Sequence, residues 1–374
     1  MNKKALIIFG TRPEAIKMSP LIKALQQQSN FTTKVCITAQ HREMLDQVLD
    51  FFEIEADFDL NLMKPNQNLY NLTATIIKEL KPVLEDFKPD YVFVHGDTTT
   101  TMAASIASFY AGAQICHVEA GLRTHNKRNP FPEELNRSLT GRIADFHFAP
   151  TTTAKNNLLK ENIAVETIQI TGNTVIDALL FSVEKLKHTS FKINEIQGLK
   201  KILDLDKKLI LVTGHRRENH GQGFENICLA LKTIAKNNPE VQIVYPVHLN
   251  PKVKKPVHEN LEGLKNVFLI EPLSYPSFVW LMNQSYIILT DSGGVQEEAP
   301  SLGKPVLVMR NTTERPEAVE AGTVILVGTD TKKIINETQK LLEDTNHYNV
   351  MAKTHNPYGD GKACGKIIDF LNDQ

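Results

Sequence analysis

Short apolar, β-branched runs recur along this chain, separated by longer stretches in which apolar residues return every three or four positions. Ala5–Phe9, Thr33–Thr38, Tyr91–His95, Gln114–Val118, Phe146–Ala149 and Thr167–Thr171 make one series. Leu209–Thr213, Gln242–Pro246, Val267–Ile270, Ile287–Leu289, Pro305–Met309 and Val324–Val327 make a second. Continuous apolar runs of this length suit strands covered on both faces, and their alternation with helical periodicity predicts doubly wound parallel sheets. The polar, helix-prone segment from Asn173 to Lys208 joins the two series, with Ile176, Leu179, Leu180 and Val183 on one apolar face. The pattern predicts an α/β chain of two Rossmann-like domains, 1–171 and 172–356, facing a cleft.

Length agrees with that division, since 374 residues exceed what one hydrophobic core usually supports. Forty-two basic against 43 acidic residues leave a net charge of -1, which argues against a polyanion binder and against nucleic acid as partner. The first residues run directly into a short apolar strand, too short for a secretory signal core, and no segment approaches a membrane span, so a cytoplasmic location is expected. Cys36, Cys116, Cys228 and Cys364 are scattered among apolar neighbours and read as reduced core thiols.

In open parallel sheets ligands sit beyond the carboxyl ends of the strands, and here those ends are polar. The first strand runs into Gly10-Thr-Arg-Pro-Glu-Ala-Ile-Lys17, where Thr11 and Glu14 fit a capping box with Pro13 in the first turn. That accounts for everything except Arg12 and Lys17. His95-Gly-Asp97 and His117-Val-Glu119 end two further strands, and either carboxylate could be a cap, a salt-bridge partner or an acid-base group. Asn129-Pro-Phe-Pro-Glu133-Glu134 adds a third acidic loop. In the second series, Thr213-Gly-His215-Arg216-Arg217 and Tyr245-Pro-Val-His248 follow strands, which favours ligand groups over core histidines.

Asp291-Ser-Gly-Gly294 follows another strand and opens a helix, so that bare backbone amides of Ser292, Gly293 and Gly294 could approach a diphosphate. Glu298 lies one turn on, where its carboxylate could accept from a ribose diol. The alternative is an N-cap by Asp291 or Ser292 with glycines for tight packing. Phe278 could pack on a base or simply start a buried helix. Neither a dinucleotide G-x-G-x-x-G nor a Walker loop is present, and the absence of His-Glu-x-x-His or paired Cys-x-x-Cys gives no metal. No cofactor is expected.

Seven ordered motifs carry a resemblance: Gly10-Thr-Arg-Pro-Glu-Ala-Ile-Lys-Met18, His95-Gly-Asp97, His117-Val-Glu-Ala-Gly-Leu-Arg123, Pro132-Glu-Glu-Leu-Asn-Arg137, Gly214-His-Arg-Arg-Glu-Asn219, Asp291-Ser-Gly-Gly294 and Thr313-Glu-Arg-Pro-Glu317. Together they look like the bacterial non-hydrolysing UDP-N-acetylglucosamine 2-epimerases, from end to end. The resemblance implies a GT-B-like domain pair, a homodimer, a final helix within 357–374 that packs back on the first domain, and UDP-N-acetylglucosamine and UDP as ligands. It implies Asp97, Glu119, Glu133 and His215 as the catalytic set, and Arg12, Lys17 and Arg315 among the substrate-binding residues. Some bacterial members also bind a second substrate molecule beside the active site. Gln40, His41, Glu133, Arg216 and His248 match that pocket, whereas Glu43 and Asn66 stand where a glutamine and an arginine are expected.

The chemistry can be argued without the name. Carbon 2 of UDP-N-acetylglucosamine has no adjacent carbonyl, so inversion there requires either transient oxidation or elimination of UDP. The missing nicotinamide fingerprint counts against oxidation. Elimination needs acid-base groups on both faces of the sugar and a clamp on departing UDP. Rival readings are a GT-B glycosyltransferase, a hydrolysing 2-epimerase, and a nucleotide-sugar sensor without turnover. Three acids suit proton traffic at the sugar better than acceptor transfer or sensing.

Overall fold

The structure, a computed structural model, describes residues 2–38, 42–62, 67–188 and 193–374. The first sheet contains β1 (Lys3–Phe9), β2 (Phe31–Ile37), β3 (Phe58–Asp59), β4 (Tyr91–His95), β5 (Gln114–Val118), β6 (Phe146–Ala149) and β7 (Ile168–Ile170). Its order is β3-β2-β1-β4-β5-β6-β7, with every pair parallel. The second sheet contains β8 (Leu209–Thr213), β9 (Gln242–Pro246), β10 (Val267–Ile270), β11 (Ile287–Thr290), β12 (Val306–Val308) and β13 (Val324–Leu326), in the order β10-β9-β8-β11-β12-β13. It too is parallel throughout. These are two Rossmann-like domains.

Apolar continuity explains the strands. Ala5 through Phe9 are all fully buried, as residues of a strand covered by helices on both faces must be. One core gathers Leu6, Ile8, Val92, Val94 and Ile115 with Ile76, Leu80 and Leu84 of the helix Leu69–Phe87. The other gathers Ile210, Val212, Ile243, Tyr245, Ile287 and Leu289 with Ile227, Leu231 and Ile234 of the helix Gln222–Asn237.

The strand order fixes where a ligand can enter each sheet. In the first, successive connections run to one side of β1 and then, from β4 onward, to the other, so the loops after β1 and β4 diverge. The same reversal separates β8 from β11. Loops that leave in opposite directions open a crevice at the carboxyl ends of the two central strands.

The chain forms two compact units, residues 1–178 with 358–374, and residues 179–357. The change of unit falls inside the helix Thr174–Lys187, beyond Gly172. The last helix, Ala363–Asn372, belongs to the first unit. Phe370 meets Phe146 and Phe148 edge-on at 5.6 and 5.7 Å, and Lys3 Nζ donates to the Leu371 carbonyl at 2.7 Å. All four cysteines are buried and free, and burial pushes the Cys36 thiol up to about 12. No described helix is long and apolar enough to cross a membrane.

Candidate active site

At the end of β1 the capping box forms, with Thr11 as N-cap and Pro13 in the first turn of the helix Arg12–Gln26. Arg12 and Lys17 lie on that helix, both half-buried. Glu14 does more than cap. Its carboxylate accepts from the amides of Gly10 and Thr11 at 3.0 and 2.8 Å, and from the hydroxyls of Thr98 and Thr101 at 2.6 and 3.2 Å. It therefore ties the β1 loop to the β4 loop that carries Asp97. Burial pushes its carboxyl above the ordinary range, and the donors on Thr98, Gly10 and Thr11 only partly oppose this.

Glu119, just past β5, takes a left-handed backbone with φ 61. A non-glycine residue pays about 1–3 kcal/mol for such a conformation, which persists only where its surroundings fix it. The surroundings are polar: Lys17 Nζ pairs with Glu119 Oε2, and Asn173 Nδ2 donates to the same oxygen at 2.7 Å. His95 Nε2 lies 3.8 Å from that oxygen. Burial holds His95 down to about 4, so it faces Glu119 as a neutral imidazole. A side chain on Gly96 would come within 3.7 Å of Glu119 Oε1, which shows how closely the β4 loop approaches this carboxylate.

Asp97 sits on that loop. Its carboxylate pairs with Arg137, and its carbonyl accepts from Asn136 Nδ2 at 3.0 Å. Both partners belong to the helix Glu133–Ile143, whose first residue is Glu133. The structure also separates the two acids of the third loop. Glu134 is buried and accepts from the amides of Thr124 and His125, a structural clamp. Glu133 is half-buried and has no hydrogen-bond or ion-pair partner among the described residues. The first unit thus carries Asp97 and Glu119 just past β4 and β5, Arg12 and Lys17 on the helix after β1, and Glu133 at the start of the helix Glu133–Ile143.

In the second unit, β8 and β11 lie side by side, and Thr213 and Thr290 bond across them at 2.6 Å. His215 and Arg216 follow β8. The imidazole of His215 stacks on that of His248 at 5.3 Å and 13°, and His248 accepts from the Asn250 amide through Nδ1 at 3.1 Å. Of the two residues offered as N-cap, Ser292 holds that position, but without a side-chain cap bond. Asp291 instead turns to the β8 loop, because the amides of His215 and Arg216 offer a buried carboxylate two donors.

Gly293 has a packing reason. A Cβ there would stand 3.2 Å from Arg315 Cζ, so the missing side chain lets the guanidinium lie against the turn. Glu297 pairs with Arg315 at 2.7 Å, which fixes it there. Glu298, one turn on, keeps Oε2 3.9 Å from the Cβ position of Gly294. A cation, a glycine turn and a carboxylate therefore share one edge of the helix Gly293–Glu298. Phe278 lies on the helix Tyr275–Gln284, whose buried face is Tyr275, Ser277, Val279, Trp280, Leu281 and Met282; Phe278 is only half-buried. Gln40 and His41 lie outside the described residues, as does Asn66.

Sequence reasoning missed Asn173 as a partner of Glu119, the link that Glu14 makes between loops, and the real contact of Asp291. Each is a tertiary bond with no local spacing signature. Only the sharp Gly172-Asn173 break ahead of a helix hinted at the first.

The family described as UDP-N-acetylglucosamine 2-epimerase matches residues 23–372. A curated UDP-N-acetylglucosamine 2-epimerase of Escherichia coli strain K12 is 59% identical over 368 residues, covering 98% of each chain. One from Campylobacter jejuni is 57% identical over 375 residues, covering 99% of this chain and 98% of its own. The crystal structure of UDP-GlcNAc 2-epimerase from Neisseria meningitidis bound to UDP-GlcNAc superposes with a TM-score of 0.89 at 57% identity, covering 99% of this chain and all of that one.

Proposed function

The chain belongs to the UDP-N-acetylglucosamine 2-epimerase family, and from that premise we propose that it interconverts UDP-N-acetylglucosamine and UDP-N-acetylmannosamine without hydrolysis, through elimination and re-addition of UDP. A base takes the C2 proton while the C1–O bond breaks and its electron pair leaves with UDP, giving 2-acetamidoglucal. UDP then adds back at C1 as an acid protonates C2 from the opposite face. The product supplies surface polysaccharide synthesis.

The observation that carries this reading is the set of three acids with three different surroundings. Glu119 accepts from an ammonium and an amide, Asp97 from a guanidinium, and Glu133 from no described group. Groups with contrasting partners suit contrasting proton-transfer tasks, and Asp97, Glu119 and Glu133 carry them. His215, Arg12, Arg315 and the Ser292–Gly294 turn stabilise the charge that grows on the diphosphate, Glu298 holds the ribose and Phe278 the uracil. Lys17 keeps the Glu119 carboxylate in place.

The test is epimerisation in heavy water with UDP-N-acetylglucosamine as sole added reactant. Deuterium is expected at C2 of the UDP-N-acetylmannosamine formed, and long incubation should leak 2-acetamidoglucal and UDP. Asp97→Asn, Glu119→Gln and Glu133→Gln should each lower kcat by about 10²–10⁴ with UDP affinity retained. A product without solvent deuterium, in a reaction that needs added NAD, overturns elimination. Release of free N-acetylmannosamine as the main product overturns the non-hydrolysing reading.

A further inference from the structure

Asp291 is fully buried at 0% exposure, yet half of its carboxylate is unused. Oδ2 accepts from the amides of His215 and Arg216 at 2.9 and 2.8 Å and from Asn219 Nδ2 at 3.2 Å. Oδ1 has no hydrogen-bond partner among the described residues and stands 3.7 Å from His215 Nδ1. A buried carboxylate oxygen without a donor is costly, and native structures keep one where it serves another group. The neighbours hold the arrangement rigid. Tyr245, itself buried, donates its hydroxyl to the Gly214 carbonyl at 3.0 Å, and Asn219 reaches on to the Met309 carbonyl at 3.0 Å.

We propose that Asp291 is the positioning residue of His215: its free Oδ1 takes the Nδ1–H of the imidazole, which fixes the tautomer and turns Nε2 toward the departing diphosphate. The inference rests on the reading of His215 given above. Which ring nitrogen carries the proton is set by the bond the other makes, and a buried carboxylate at Nδ1 also favours the imidazolium. Three groups face the ring: Asp291 from β11, His248 from the loop after β9, and Arg216 beside it. Burial holds His215 below its ordinary value, and His248 and Arg216 add to that. Asp291 opposes all three.

The experiment uses the full-length chain with Asp291→Asn, which keeps an oxygen for the two backbone amides and removes the charge. Expected results are a fall in kcat of about 10- to 100-fold, by analogy with the loss of the outer partner of a metal-bound histidine, with KM changed less than about threefold. The alkaline limb of the kcat profile should move to lower pH, and the His215 imidazole, followed by NMR with UDP bound, should titrate lower. In wild type with UDP the same spectra should show Nδ1 protonated. In a His215→Asn background, Asp291→Asn should add no further loss. An unprotonated Nδ1 in wild type overturns the proposal whether or not the variant folds, as does an unshifted titration in the variant. Full turnover by His215→Asn would instead sink the role of His215 in catalysis, leaving the tautomer result to stand by itself.

Discussion

Glu119 shows how much arrangement one proposed catalytic side chain receives. Its strained backbone, with φ 61, aims the carboxylate, while Lys17 and Asn173 hold one oxygen. Asn173 is itself fully committed: its Oδ1 accepts from the Val175 amide at 3.0 Å and its amide donates to the Tyr358 carbonyl at 2.7 Å. Replacement therefore separates two effects. Asn173→Ala loses both the cap and the donor, so it should cost about 0.5–2 kcal/mol of stability and lower kcat. Asn173→Asp keeps the acceptor for Val175 but sets a second carboxylate against Glu119. Its kcat should fall at least roughly tenfold at neutral pH, equivalent to about 1.4 kcal/mol, and recover as pH drops toward 5, where the new carboxyl can again donate. Assays of both variants across pH would reject the role of Asn173 if each turned over like wild type.

At the scale of elements, the adjacent strands β4, β5 and β6 each carry a buried histidine. Burial holds His95 down to about 4 and His117 down to about 3, and it also lowers His147. His117 Nε2 bonds the Gly96 carbonyl at 2.7 Å and His147 Nε2 the Gly141 carbonyl at 2.8 Å, so in the neutral state one ring pins its strand to the β4 loop and the other to the helix Glu133–Ile143. An unfolded imidazole protonates near pH 6.5, whereas folded His95 and His117 stay neutral to about 4 and about 3, and His147 shifts in the same direction. Unfolding thus takes up protons as pH falls through that window, and stability should drop there by up to about 1.4 kcal/mol per pH unit for each ring. Glu14 and Asp177, whose carboxyls burial pushes up, act in the opposite sense. The diagnostic quantity is consequently a difference: between pH 7 and 5, His117→Gln should lose less of its urea midpoint than wild type. Parallel losses in the two proteins would show that His117 is not the group that titrates.

The same scale shows what sequence can reveal. Runs such as Leu209–Thr213 and Tyr91–His95, apolar up to their last residue, match the observed strands end to end, because burial on both faces leaves no polar position inside them to blur the pattern. Phe58–Asp59 is a strand of two residues at the sheet edge, too short to carry a pattern. The capping box at Thr11 was legible because it is local, whereas the Glu133–Glu134 pair looks equivalent in sequence. Only the fold assigns Glu134 to the amides of Thr124 and His125, and only the fold draws Asp291 away from its own helix to a loop 76 residues back.

For the whole molecule, the informative fact is that the first unit is built from both ends of the chain. Gly172, with φ +89, lies against Gly359, and a Cβ on Gly172 would come within 3.2 Å of both Gly359 Cα and the Tyr358 carbonyl oxygen, so two segments distant in sequence pack backbone to backbone. Beyond that crossing, Asp177 accepts from the amides of Ala363 and Cys364 at 3.2 and 2.9 Å and so caps the last helix from another element. Ile367 and Leu371 of that helix are fully buried. The final helix is therefore part of the first unit's core, and the second unit's core contains none of it. Ile367→Ala should cost about 2–5 kcal/mol, the usual penalty for truncating a buried aliphatic side chain. Because that loss belongs to one core, hydrogen exchange should show reduced protection in β1, β4, β5 and β6, with β8, β9 and β11 protected as before. Equal loss of protection in both sheets would mean that the two cores unfold as one, and unchanged protection in the first would mean that the helix adds nothing to it.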